Sequence, residues 1–235
     1  MFESAWTPEW LKLMAKRLAF GTAPHGAGLY GDRDIEWSWV ASRIPSGPGL
    51  ALDFGPGESH LPLILARKGF RVLALDREPP RMMYAHPAIS FVQRDILDIQ
   101  LPAAAFDLVV NCSTVEHVGL RGRYGTTYSN SEGDLLAMQR IAGWMKPHGS
   151  MILTIPVGRD GTFAPLCRVY GEKRLPRLLK GYRTEESEFW IKRGYVWKIA
   201  AEREALEYVP RVSYRVPVMS SYALGCYVLR RDESL

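Results

Sequence analysis

Two acids and two glycines raise the first chemical question. The run ALDFGPGESH occupies residues 51–60, so Asp53 precedes Gly55 and Gly57, and Asp76 stands nineteen residues after Gly57. Glycines lack a Cβ, so a ligand can approach the main chain closely. A carboxylate ending the next strand can accept two hydrogen bonds from a ribose diol. A second group lies in Asn111-Cys-Ser-Thr-Val-Glu-His117. An imidazole titrates near neutrality, which suits His117 to general-base work, with Glu116 beside it to orient a partner or a polar substrate. His117 equally suits a place in the wall of a ligand pocket. No cluster of His, Cys and Asp points to a metal, and Cys112, Cys167 and Cys226 are far apart and odd in number. Nothing near Cys112 in sequence activates it as a nucleophile.

The glycine loop narrows the ligand class. A dinucleotide fingerprint has a third glycine where this chain has His60. That counts against a nicotinamide-dependent oxidoreductase. An acid two residues before the first glycine is awkward beside a pyrophosphate and suits a cationic amine. S-adenosylmethionine carries an ammonium group, a sulfonium, a ribose and an adenine, and no phosphate. Methyl transfer from it is an in-line displacement, in which the enzyme places the nucleophile opposite the sulfur and, for an alcohol, removes its proton.

The elements that must hold these residues alternate regularly. Leu50–Phe54, Arg71–Leu75, Ile89–Gln93, Phe106–Asn111 and Ser150–Ile155 read as strands, with helices at His60–Lys68 and Asp134–Met145. Ser131 and Asp134 suggest a capping pair, and Lys146-Pro-His-Gly149 ends the second helix. Near-continuous apolar strands separated by helices predict a parallel sheet covered on both faces. Glu188–Trp190 or Val196–Ile199 supplies a sixth strand, Glu202–Tyr208 a helix and Tyr222–Leu229 a seventh strand, with a late hairpin-like pair possible. Trp10, Leu11, Met14 and Leu18 have helical spacing, and Asp34–Ser42 reads as a further helix. The expected organisation is a helical extension or lid over residues 1–47, a nucleoside-binding core over 48–157, and a part completing the sheet and shaping the acceptor site over 158–235.

The stretch from residue 49 to Asp76 resembles motif I and the ribose acid of class I S-adenosylmethionine-dependent methyltransferases. The resemblance continues through Gln93-Arg-Asp-Ile96, FDLVVNCSTVEHVG (106–119) and WMKPHGSMILTIP (144–156), so it covers roughly residues 48–157 with four motifs in order. It implies a doubly wound, mostly parallel, Rossmann-like α/β sheet of seven strands, the last antiparallel. It implies that Asp53, Phe54, Gly55, Pro56 and Gly57 line the methionine end, with Ser59 nearby. Asp76 would hold the ribose hydroxyls and Arg77 would flank the adenine. Asp95 and Ile96 would meet the adenine edge, and Asn111 and Cys112 would pass beneath the sulfonium. Pro56 and the Cys112-Ser113 pair depart from the commoner pattern. The segment between Val157 and Tyr182 is similar to a bacterial methyltransferase-like group linked to surface-glycan biosynthesis.

The remaining features concern the acceptor. Residues 118–130, VGLRGRYGTTYSN, read as a loop over the acceptor, in which Arg123 and Tyr124 would bind an anionic group and a ring; the same stretch also reads as an exposed loop. Tyr30 is a candidate lid residue. Trp37/Trp39 and Tyr195/Trp197 suit either stacking platforms or packing. Residues 168–183 hold six basic residues, which fits a solvated amphipathic helix, a wall for an acidic acceptor or an anionic surface contact. A net charge of +5 permits an anionic partner without demanding one, and the missing Asn/Asp-Pro-Pro-aromatic signature argues against DNA amino methylation. The expectation is a cytoplasmic enzyme, without signal peptide or membrane span, that methylates an oxygen of a small molecule or sugar-related acceptor. RNA methylation and a non-catalytic S-adenosylmethionine-binding role are the alternatives.

Overall fold

The structure, a computed structural model, describes residues 31–80, 82–122, 124–193, 196–214 and 220–232. The expectations for residues 1–30, including Tyr30, and for Arg123 and Tyr195 lie outside the described residues. The chain opens with helix α1 (Asp32–Arg43), then β1 (Gly49–Phe54), α2 (Leu61–Arg67), β2 (Phe70–Asp76), β3 (Ile89–Gln93) and β4 (Phe106–Cys112). After a short 3-10 turn (Val115–His117) come α3 (Gly133–Trp144), β5 (Met145–Val157), and a small hairpin, β6 (Gly161–Phe163) and β7 (Cys167–Val169). The chain ends with α4 (Leu175–Leu178), β8 (Tyr182–Arg193), β9 (Val196–Ala200), α5 (Glu202–Leu206) and β10 (Ala223–Arg231).

The main sheet runs β3-β2-β1-β4-β5-β10-β8-β9. Strands β1 to β5 pair in parallel, and β10 is inserted antiparallel between β5 and β8. The sheet therefore has eight strands rather than seven. The two segments that competed for the sixth strand both form, and they pair antiparallel as β8 and β9 at the sheet edge.

Successive strand residues face opposite sides, and this splits the core in two. Leu52, Val109, Leu153 and Tyr227 meet α3 through Met138 and Ile141, and α4 through Leu175 and Leu178. Ala51, Leu108, Val110, Cys112 and Cys226 meet α1 through Trp39 and Val40, and α2 through Leu61 and Leu65. Helices thus cover both faces.

Two local expectations fail. Pairing of β5 begins at Met145, directly after α3, and the Lys146–Gly149 stretch is taken up as an irregularity within the strand, with His148 at φ 61. Ser131 and Asp134 form no capping pair. The Asn130 side chain accepts from Glu132 N at 3.0 Å instead, and Asp134, fully buried, binds Arg174 and Tyr170.

Candidate active site

A cavity of about 430 Å³ opens at the carboxyl ends of β1, β2 and β4, where an open α/β sheet places its ligand crevice. Its wall includes Asp53 to Gly57, Ser59, Asp76, Arg77, Asp95, Ile96 and Cys112 of the expected cofactor set. His117 and Tyr124 also line it.

The two loop glycines are needed for different reasons. Both have positive φ, 72° at Gly55 and 52° at Gly57. A Cβ on Gly55 would fall 2.2 Å from Thr114 Cγ2, so this glycine admits the Thr114 side chain, whose hydroxyl donates to the Gly55 carbonyl at 3.2 Å. A Cβ on Gly57 would meet nothing within 4 Å. That open face belongs to the cavity, and the loop leaves main chain bare toward it.

The acids differ in their surroundings. Asp53 is 1% exposed, and its Oδ2 has no hydrogen-bond partner among the described residues. Burial, and then the nearby Asp76 charge, push its carboxyl up to about 8. A buried carboxylate oxygen without a donor is costly unless a ligand supplies one. Asp76 accepts from Gly57 N at 3.2 Å through Oδ2 and from Glu78 N at 2.9 Å through Oδ1. Burial raises its carboxyl and these N–H groups pull it back. Asp95 accepts from Arg77 at 2.5 Å, from the Tyr128 hydroxyl at 2.7 Å and from Leu97 N at 2.9 Å. Arg77 also donates to the Gly125 carbonyl at 3.0 Å, so the loop after β4 is tied to the ends of β2 and β3.

Asn111 and Glu116 do not line the cavity. Neighbouring strand residues face opposite ways, so Asn111 and Cys112 cannot share a side. Asn111 turns to the α3 face, where its Oδ1 accepts from Val115 N at 3.3 Å and its amide lies 3.9 Å from Met138 Sδ. Cys112 faces the cavity, and burial, then Glu36, push its thiol up and keep it protonated. Glu116 is 1% exposed behind His117, with its Oε1 3.5 Å from His117 Nε2. The Tyr124 ring stands edge-on to His117 at 5.4 Å.

Several wall residues were not expected from sequence. Helix α1 contributes Asp32, Arg33 and Asp34, and also Trp37, which was expected either as a stacking platform or as packing. Glu36, fully buried, accepts from Arg33 at 2.6 Å, from Thr154 at 2.8 Å and from Ser113. The signal was present: Glu36 lies three and four residues before Trp39 and Val40, so an acid shares the apolar face of α1. Within residues 168–183 only the short α4 is helical, with Pro176 in its first turn as expected. Arg168 is buried in β7, Arg174 and Arg177 bind Asp134 and Glu132, and Arg183 meets Glu185.

A parallel sheet with one antiparallel strand inserted next to β5, and a crevice with a glycine loop and an acid ending β2, define the class I S-adenosylmethionine-dependent methyltransferase fold. Solved structures agree on the fold. One is the Burkholderia thailandensis 1,6-didemethyltoxoflavin-N1-methyltransferase with bound 1,6-didemethyltoxoflavin and S-adenosylhomocysteine, at TM-score 0.54 and 15% identity, covering 99% of this chain and 94% of that one. Another is the N-methyltransferase NodS of Bradyrhizobium japonicum with S-adenosylhomocysteine, at TM-score 0.51 and 16% identity, covering 87% and 89%. In sequence, the model of a family described as "Caenorhabditis protein of unknown function, DUF268" matches residues 87–190. Curated relatives from Mycobacterium bovis and Mycobacterium tuberculosis, described as uncharacterized methyltransferases, are 28% identical over 115 residues, 47% of this chain and 52% of theirs. The chain thus spans about half the length of the curated relatives it matches.

Proposed function

We propose that the protein is an S-adenosylmethionine-dependent methyltransferase acting on a small-molecule acceptor, with an oxygen of a sugar or glycan-related compound as the favoured methyl acceptor. The observation that carries the reading is Asp53, a buried carboxylate with one oxygen unpartnered, in the wall of a cavity that also contains Asp76 and Asp95. This set of acceptors suits an amine, a ribose diol and an adenine amino group, and offers no cradle for a pyrophosphate. The cavity size is that of a small-ligand site.

When bound, the donor supplies an electrophilic methyl group. Asp53 would accept from its ammonium, and Asp76 would accept from the ribose hydroxyls with its remaining lone pairs. Asp95 and Ile96 would hold the adenine edge, with Arg77 beside the ring. His117 takes the acceptor hydroxyl proton, steadied by Glu116 on one side and Tyr124 on the other. The loop carrying Tyr124 and Thr126 limits the entry of water and positions the acceptor ring. The sugar-related acceptor rests on the resemblance of residues 157–182. Of the six basic residues in 168–183, Arg168 is buried on main-chain carbonyls and Arg174, Arg177 and Arg183 pair with acids, which counts against a dedicated RNA surface there.

Calorimetric titration with S-adenosylmethionine, S-adenosylhomocysteine and NAD tests the donor, and binding of NAD alone would sink the reading. A turnover screen with sugar nucleotides, glycan fragments, small amines and RNA tests the acceptor. Transfer to amines alone would replace oxygen by nitrogen.

A further inference from the structure

The fully buried Arg168 has no place in the chemistry above, yet it reaches both ends of the loop that covers the cavity. Its side chain is 1% exposed. Nη1 donates to the Val118 carbonyl at 2.7 Å and to the Glu116 carbonyl at 3.3 Å, and Nη2 donates to the Asn130 carbonyl at 2.9 Å. Its Nε lies 3.6 Å from Asp134 Oδ1, a counter-charge shared with Arg174. Between Val118 and Asn130 the chain makes its excursion over the cavity, and His117 sits between two of the carbonyls that Arg168 holds.

We propose that Arg168 is a positioning residue that closes the neck of the 118–130 loop and thereby sets His117 and Tyr124 in the cavity wall. The assignment rests on the proposed methyltransferase reading for its catalytic meaning. A guanidinium suits the task because its planar fork presents five donors in fixed directions, so one side chain serves three carbonyls. A lysine ammonium is a compact point charge and cannot span the same acceptors. The neck is tight on its own account. Asn130 N donates to the Gly119 carbonyl at 2.9 Å, and a Cβ on Gly119 would lie 2.5 Å from the Asn130 carbonyl oxygen. The β6–β7 hairpin, which stands outside the main sheet, thus delivers a cation under the neck of the loop.

The test compares wild type with Arg168→Lys, Arg168→Met and, as a surface control, Arg177→Gln. Amide hydrogen exchange is followed by mass spectrometry, and S-adenosylhomocysteine binding by calorimetry. In folded Arg168→Lys and Arg168→Met, exchange across residues 118–130 should rise about tenfold or more, while amides of β1 and of the Gly55–Ser59 loop keep their protection. S-adenosylhomocysteine affinity should change less than about threefold, because Asp53, Gly57, Asp76 and Asp95 all lie outside the loop, and Arg177→Gln should match wild type. Lysine should restore no more than a small part of the protection. Unchanged exchange in the loop, or an increase spread evenly over the whole chain, overturns the positioning role. Should wild type itself fail to bind S-adenosylhomocysteine, the methyltransferase reading falls while the exchange result still decides what Arg168 holds.

Discussion

Glu36 and Ser113, 77 residues apart in sequence, are joined by a hydrogen bond in which the serine hydroxyl donates to Oε1. Ser113 has φ 46°, an uncommon conformation for a residue with a side chain, at the point where β4 reaches the cavity. The same carboxylate binds Thr154 of β5, opposite the end of β4, and Arg33 on its own helix. A single buried acid thus seats α1 against the strand ends and brings Asp32 and Arg33 into the cavity wall.

Replacing Glu36 with alanine leaves the Arg33 cation and two hydroxyls without their acceptor. The loss should be about 2 kcal/mol in urea unfolding, below the 3–5 kcal/mol typical of a fully buried pair, because the Arg33 side chain keeps 34% of its exposure. Glu36→Gln keeps an acceptor and should recover part of it. Equal stabilities for wild type and Glu36→Ala would show that α1 is seated by its apolar face alone.

The two glycines of the β1 loop predict opposite phenotypes. Gly55→Ala drives a methyl group into Thr114 and should destabilise the fold by about 2 kcal/mol or more, with partial rescue in the Thr114→Ala background. Gly57→Ala meets no protein atom, so it should cost only the ~1–2 kcal/mol of a left-handed backbone while weakening S-adenosylhomocysteine binding at least about tenfold. Thermal melts and calorimetry on the same samples separate the two. Unaltered binding in Gly57→Ala would remove the loop from the ligand site.

Asp53 makes both stability and binding depend on pH. Its carboxyl stands at about 8 in the folded chain against the ordinary 3.8, so the folded state holds one more proton between these values. The stability from that proton is complete below about pH 4 and is lost as pH rises through about 8. The melting temperature of the ligand-free protein should therefore fall across this window, and Asp53→Asn should flatten that part of the profile. Binding of an ammonium requires the carboxylate, so affinity for S-adenosylmethionine should rise with pH, approaching tenfold per unit between about pH 5.5 and 7. In Asp53→Asn it should be weak and nearly independent of pH. A flat wild-type profile would remove Asp53 from the amine site.

Asp76→Ala should weaken S-adenosylmethionine binding by about 1.5–3 kcal/mol, the range for hydrogen bonds to a charged group. Part of that loss comes through the loop, since the same carboxylate holds Gly57 N and Glu78 N. Unchanged affinity would rule out the ribose role.

Much of this was legible in the chain. Continuous apolar strands separated by helices predicted the parallel sheet, and glycines followed nineteen residues later by an acid predicted the crevice. What stayed hidden depended on contacts across the sequence. The Asn111/Cys112 pair needed the strand's two-residue period applied at the site, which puts only Cys112 on the cavity side. Arg168 looked like surface charge because its hydrogen bonds go to main-chain carbonyls, which leave no residue type to read. The edge pairing of β8 with β9 was ambiguous because each segment alone has strand character, and only the hairpin shows that both are used.

The three buried thiols carry one more consequence. Cys226 lies fully buried in mid-sheet, Cys167 sits in the small hairpin at 6% exposure, and Cys112 borders the cavity at 8%. Each can be alkylated only when its own surroundings open, so the chain holds three internal clocks with separate hands. Under a maleimide pulse, Cys226 would time the parting of the sheet and Cys167 the lifting of the hairpin that carries Arg168. Cys112 would time the emptying of the cavity, and a bound nucleoside should slow that one clock while the others keep their pace.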